Sequence, residues 1–288
     1  METEKLRVLL TALDLGSLSA AAEKLDYTPS GVSRAVLSLE ESLGLELLQR
    51  GRRGVEPTES CRALLPGFRQ LLNQERLLEE TVAGLKGLEP GSVRLGNSYG
   101  GYTRALAGAI AAFCREHPGI RVEARQQSSS ELCRALSAGE LDLCLCSRRE
   151  GDFDWIGLKE DPLVAVLPED HPLAGAACYP AARFAQDPFI EILPGVETDN
   201  SRLFSRLGIR PNTRYLSRDD RTAMTLAEAG LGVTLVNALL LRDFDGKVRG
   251  LALDPPAKVE IGIALPSLEH CSPAARSFLH FVRPWLAD

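Results

Sequence analysis

Ser17-Leu-Ser-Ala-Ala-Ala-Glu-Lys-Leu-Asp-Tyr-Thr-Pro-Ser-Gly-Val-Ser-Arg-Ala-Val-Leu-Ser-Leu-Glu40 reads as two short helices joined by a tight turn. Ser19 is positioned to cap the first helix, and Ala20, Ala21 and Ala22 are small enough to let a second helix approach closely. Asp26-Tyr27-Thr28 breaks the pattern, and Thr28 or Pro29 starts the next helix. Proline suits that first position because its missing N–H has no partner there anyway. Val32, Val36 and Leu39 recur at helical spacing and face inward. Thr28, Pro29, Ser30, Gly31, Ser33 and Arg34 are thereby left on the outer side, near the N-terminal end. A helix that reads double-stranded DNA presents its contacts from that end.

On the N-terminal side, Leu6, Leu9, Leu10 and Leu13 form the apolar stripe of a first helix. On the C-terminal side, residues 45–58 suggest a two-stranded wing turning at Gly51-Arg52-Arg53-Gly54. Arg50, Arg52 and Arg53 would meet phosphates or the minor groove there, although a solvated turn is the plainer reading of such a cluster. Residues 58–88 are helical, with Leu64, Phe68, Leu71, Leu78, Val82 and Leu85 making a seam suited to a partner helix. Pro66-Gly67 predicts a kink or restart in it, and Glu89-Pro90-Gly91 closes it. From residue 91 onward, strands and helices alternate in a βαβ rhythm, as in a helix-covered, mostly parallel sheet.

Composition narrows the classes. Of 288 residues, 44% are hydrophobic and 25% charged, as in a globular protein, and no apolar run is long enough for a membrane span. The acidic start, Met1-Glu2-Thr3-Glu4-Lys5, does not resemble a signal peptide, so a cytoplasmic protein is expected. The net charge of −6 argues against a general nucleic-acid coat. Even residues 1–65 hold eight Lys/Arg against ten Asp/Glu, so DNA contact has to come from a local basic patch. Seven cysteines do not suggest a disulfide framework. Cys144 and Cys146 share one face of a strand and read as small apolar residues, with a redox or metal site as the alternative. No Cys/His set has ligand spacing. No paired catalytic carboxylates, nucleophile triad or phosphate loop occurs, so neither an enzyme nor a cofactor is expected.

Gly-Ser-Leu-Ser-Ala-Ala-Ala-Glu-Lys-Leu (16–25), Val32-Ser33-Arg34, Leu39-Glu40 and Leu43-Gly44 closely resemble the winged helix-turn-helix of the LysR-type transcriptional regulators. The likeness continues through Phe113-Cys-Arg-Glu-His-Pro-Gly-Ile-Arg-Val, Gly139-Glu-Leu-Asp-Leu, His171-Pro-Leu-Ala, Pro188-Phe-Ile and Ala229-Gly-Leu-Gly-Val-Thr-Leu. It implies an N-terminal all-α winged helix-turn-helix over 1–58 and a long linker and dimerisation helix over 59–90. It also implies a C-terminal α/β effector domain over 91–288, two-lobed like a type II periplasmic binding protein. One lobe would span about 91–160 and 266–288, the other about 161–265. A homodimer or homotetramer on operator half-sites, a small-molecule effector and RNA polymerase are the implied partners. The chain departs from the family at Pro29, Gly31, Leu48, Pro57, Cys61 and Asn237, and around Tyr99 and Glu191. No cysteine pattern matches the family's peroxide sensors.

Ligands of open α/β sheets bind beyond the carboxyl ends of strands. Three such ends are polar: Asn97-Ser98-Tyr99, Gln126-Gln127-Ser128-Ser129-Ser130 and Ser147-Arg148-Arg149. The first two run into helix N-termini, which favour an anion. Ser98, Tyr99, Gln127, Ser128 and Ser129 are therefore candidate effector contacts, with Ser130 assigned to the helix cap. Arg148, or its neighbour Arg149, would pair with a carboxylate. By family analogy Val196 and Asp219 face the same cleft from the second lobe. Residues 91–288 alone would also suit a transport solute-binding protein or a regulator without effector control. The N-terminal motif argues against the first and the polar cleft against the second.

Overall fold

The computed structural model describes residues 2–51, 54–86, 91–269 and 271–286, with Arg50 described by its backbone alone. Arg52 and Arg53, the expected wing tip, and Glu89-Pro90 lie outside the described residues. The chain divides into two compact units, residues 1–88 with 137–140 and residues 89–136 with 141–288.

The first unit begins with α1 (Thr3–Asp14), α2 (Leu18–Leu25) and α3 (Pro29–Leu43). Leu6, Leu9, Ala21, Ala22, Val32, Val36 and Leu39 close their shared core. Ser17, two residues before the expected Ser19, caps α2 by accepting from Ala20 N at 3.3 Å. Asp26 ends α2 in the left-handed region, which a short polar side chain tolerates. Strands β1 (Leu48–Gly51) and β2 (Gly54–Pro57) pair antiparallel as the wing. Gly54 has φ +114° and lies where a Cβ would be 2.1 Å from the Gly16 carbonyl oxygen, so glycine is required. The Glu40 carboxylate anchors the wing to α3 by accepting from Leu47 N and Leu48 N at 2.7 and 3.1 Å.

Helix α4 (Glu59–Leu85) starts at Thr58, whose hydroxyl accepts from Cys61 N at 3.1 Å. Cys61 is fully buried, so its departure from the family's glycine adds a small plug to this core. Of the kink or restart expected at Pro66-Gly67, the restart is absent: the helix continues through Pro66. Proline removes one bond there, and the neighbouring turns are long enough to hold the helix. Leu71, Leu78, Val82 and Leu85 stay exposed at heptad spacing.

The second unit contains β3 (Gly91–Asn97), α5 (Thr103–Glu116), β4 (Ile120–Gln126), α6 (Ser129–Ser137), β5 (Leu143–Ser147) and β6 (Asp154–Pro168). Then come β7 (Tyr179–Pro180), β8 (Phe189–Ile192), α7 (Asp199–Leu207), β9 (Thr213–Ser217), α8 (Asp220–Glu228) and β10 (Thr234–Asn237). The unit ends with α9 (Ala238–Arg242), β11 (Val248–Asp254), β12 (Lys258–Leu265) and α10 (Pro273–Val282). Strands β4, β3 and β5 are parallel, and β12 and β6 extend the sheet antiparallel. Leu143 and Leu145 face the core under α5 and α10, while Cys144 and Cys146 face α6.

The first half of β6 pairs with β12, and its second half runs between β10 and β11. Leu163, Ala165 and Leu167 enter one core of the second lobe, and Val166 and partly buried Val164 enter the other. Strand β12, expected in the second lobe, pairs with β5 and buries Ile261, Ile263 and Leu265 in the first. A boundary at residue 265 therefore gives way to two strands shared between the lobes. The polar sequence of Asp154–Asp161 hid the first half of β6.

Candidate functional site

Two surfaces collect the residues singled out from the sequence. The first is the N-terminal end of α3. Thr28 caps it, accepting from Gly31 N at 3.1 Å, and its hydroxyl lies 3.2 Å from that of Ser30. Thr28, Pro29, Ser30 and Arg34 are exposed, while Ser33 is half-buried. Arg34 pairs with no carboxylate among the described residues. One capped helix end thus presents the hydroxyls of Thr28 and Ser30 and the guanidinium of Arg34 at the surface. The side chains of Arg50, Arg52 and Arg53 lie outside the described residues.

The second surface is a cavity of about 300 Å³ between the lobes of the C-terminal unit. Ser98, Tyr99, Gln127, Ser128 and Ser129 line it from the first lobe, and Asp219 from the second. Two expected residues stand elsewhere. Arg148 is exposed and pairs with Glu260 at 3.1 Å, which together with Trp155 holds the Glu260 carboxyl below its usual range. Val196 lines a separate cavity within the second lobe, beside Glu191 and Phe204. Arg149 takes the position expected of Arg148, because successive residues leaving a strand point in opposite directions.

The cavity wall is heavily bonded within itself. The carboxylate of Asp199, the first residue of α7, crosses from the second lobe. It accepts from Tyr99 Oη at 2.9 Å, Ser147 Oγ at 2.6 Å and Arg149 Nη2 at 2.8 Å. The Arg149 and Asp199 side chains are only 7% and 15% exposed. Burial, reinforced by Asp199, raises the Tyr99 phenol, so it stays a donor. Arg149 also donates to Ser130 Oγ at 2.9 Å and Ser147 Oγ at 2.6 Å. Ser130 in turn donates to Glu197 at 3.1 Å, a second bond across the cleft.

Other hydroxyls are committed as well. Ser129 Oγ accepts from Ser147 N at 3.0 Å and lies 2.8 Å from Ser98 Oγ. Ser128, not Ser130, performs the capping: its hydroxyl accepts from Glu131 N at 3.3 Å, and its own backbone N–H donates to Glu131 Oε2 at 3.0 Å. That is the reciprocal pattern of a serine followed three residues later by glutamate.

The N-terminal ends of α6, α7 and α8 all border the cavity, through Ser128–Ser129, Thr198–Asn200 and Arg218–Asp220. Their positive ends meet the carboxylates of Asp199, Asp219 and Asp220. Burial and the like charges of Asp219 and Asp199 push Asp220 up to about 6. Asn237 lines the same space, and its buried Nδ2 has no hydrogen-bond partner among the described residues. The sequence marked Asn237 only as a departure at a strand end, because its environment depends on residues far away in the chain.

Beneath the cleft, Cys133 of α6 joins Cys144 and Cys146 of β5, with all three sulfurs within 4.8 Å of one another. This trio could hold a metal ion. Strand alternation revealed its β5 half. The third thiol comes from a separate helix, so the ligand spacing sought along the chain could not reveal it. Hydrogen bonding from the other two thiols lowers Cys133, and hydrogen bonding to Cys133 raises Cys144 and Cys146.

Residues 3–62 match the family profile described as bacterial regulatory helix-turn-helix protein, lysR family. Residues 86–287 match that of the LysR substrate binding domain. The chain is 28% identical over 287 residues to the HTH-type transcriptional regulator YybE of Bacillus subtilis, covering 98% of each chain. It is 31% identical over 240 residues to the HTH-type transcriptional regulator CbbR of Rhizobium meliloti, covering 81% of this chain and 76% of that one. Among solved structures, a full-length OxyR variant from Pseudomonas aeruginosa superposes with a TM-score of 0.72 at 19% identity, covering 99% of this chain and 94% of that one. Full-length CbnR in complex with its target DNA gives 0.62 at 20%, covering 99% and 100%.

Proposed function

This chain belongs to the LysR family of transcriptional regulators, and we propose that it reads operator DNA with α3 and answers to a small effector held between its lobes. Thr28, Pro29, Ser30, Ser33 and Arg34 contact bases and phosphates, and Arg50, Arg52 and Arg53 supply the wing's positive charge. Pro29 offers the DNA no polar side-chain group, so specificity rests on the flanking hydroxyls and Arg34. The exposed stripe of Leu71, Leu78, Val82 and Leu85 on α4 supports pairing with a second copy. Two-fold pairing sets two copies of α3 on two half-sites. RNA polymerase is the downstream partner, and the cytoplasm is the place of action.

The observation that carries the ligand reading is the cavity into which three helix N-termini open. An anionic effector is supported by what the first lobe already holds there: Tyr99, Ser147 and Arg149 grip the carboxylate of Asp199. The effector's acid group takes the place of Asp199, and its remaining acceptors satisfy Asn237. Such an exchange shifts the balance between lobe arrangements by the difference in affinity for the two states.

A salt-titrated footprint on the DNA upstream of the chain's own gene tests the DNA reading. Protection of a dyad that weakens as salt rises supports it, and no protection of any genomic fragment rejects it. The carboxylate exchange is tested by chemical rescue. In Asp199→Ala, acetate or formate should raise the melting temperature more than in the wild type, and equal responses reject it.

A further inference from the structure

We propose that Cys133, Cys144 and Cys146 form a site for a soft, thiophilic ion held by three thiolates, and that trivalent arsenic is the ion that fits it best. The sulfurs of Cys133 and Cys146 are 3.8 Å apart, and those of Cys144 and Cys146 are 3.7 Å apart. At a thiolate bond of about 2.3 Å the sulfurs stand about 3.5 Å apart around a pyramidal centre such as trivalent arsenic, and about 4.0 Å apart in a trigonal plane. Both edges are therefore close to the length that binding requires. Structural zinc takes four ligands, and no fourth cysteine, histidine or carboxylate joins the three among the described residues. Magnesium and calcium require oxygen.

Charge then selects among the soft ions. The trio is buried in an apolar cluster with Leu132, Leu136, Leu141 and Ala264. Three thiolates around a monovalent or divalent ion leave a net negative charge there, which such surroundings disfavour. Around a trivalent ion the complex is neutral. With arsenous acid, three As–S bonds form and three As–O bonds break. Each thiol proton leaves with a hydroxyl group as water, and no electrons are transferred. Loading ties α6 to β5, the two elements that carry Ser129, Ser130 and Ser147 into the cleft.

The test titrates reduced full-length protein with arsenite, counts bound arsenic by native mass spectrometry and follows the melting temperature. One arsenic per chain and a raised melting temperature are expected. Cys133→Ala, Cys144→Ala and Cys146→Ala should each lose more than the roughly 10–100-fold that outer-shell changes cost a metal site. A variant lacking Cys114, Cys178 and Cys271 should bind as the wild type does. Arsenic X-ray absorption of the loaded wild type, which needs no variant, should show three sulfur neighbours. No binding at excess arsenite, one or two sulfur neighbours, or full binding by folded Cys133→Ala each overturns the proposal.

Discussion

The start of α3 and the start of α6 are built alike and behave differently. Each begins with a capping hydroxyl, Thr28 or Ser128, followed by further serines and an arginine nearby. At α3 the set faces outward, and Arg34 has no carboxylate partner among the described residues. At α6 the chain supplies its own counter-ion: Asp199 crosses the cleft and takes Arg149, Ser147 and Tyr99 of the first lobe. Similar residue types therefore offer an open face in one place and a self-filled one in the other. The difference lies in the second lobe, which brings a carboxylate within reach.

The largest expected effect comes from removing that carboxylate. Asp199→Ala leaves Arg149 buried and unpaired, and breaking a buried pair by deleting one partner costs about 3 kcal/mol. Denaturant unfolding of the full chain checks this, and an unchanged midpoint would show that the cleft is not self-filled in solution. The matching change at the open site is Arg34→Ala. Operator affinity should fall by about 1–3 kcal/mol with the melting temperature unchanged, as binding isotherms at fixed salt would show. A parallel loss of stability would break the contrast, because Arg34 would then have a structural partner.

A third prediction concerns acid in the cleft. Asp220 titrates at about 6 when folded, against a usual value of 3.8. Between those values the unfolded chain has released its proton while the folded chain retains it. Its contribution to stability therefore falls as pH rises from about 4 to 6 and levels off above. The fall should be about 1–2 kcal/mol, since partial exposure screens the charges. Asp220→Asn should remove it from a pH series of unfolding curves. The smallest effect separates two neighbouring serines of the DNA-reading unit. Ser17→Ala should cost about 1 kcal/mol and Ser19→Ala almost nothing, because Ser17 holds Ala20 N.

Local periodicity made the helix-turn-helix legible. Val32, Val36 and Leu39 are spaced as a buried stripe requires, and they are buried. The cap moved by two residues, from Ser19 to Ser17, because side-chain geometry at a helix start depends on the turn before it. In the cleft, the strand ends at Ser98 and Ser129 were legible as polar junctions. Which arginine enters was not, since Arg148 and Arg149 differ only in the direction each leaves β5.

The sequence by itself determined the recognition helix, its inward stripe, the wing and the βαβ rhythm of the C-terminal unit. Each follows from contacts within a few residues or from a repeating spacing. Only the tertiary structure decided that β6 and β12 serve both lobes, that Asp199 bonds Arg149 across the cleft, that Asn237 Nδ2 has no partner among the described residues and that Cys133 completes a triangle of thiols. These features depend on residues carried by separate elements, where spacing along the chain carries no information and packing alone sets which side chains meet.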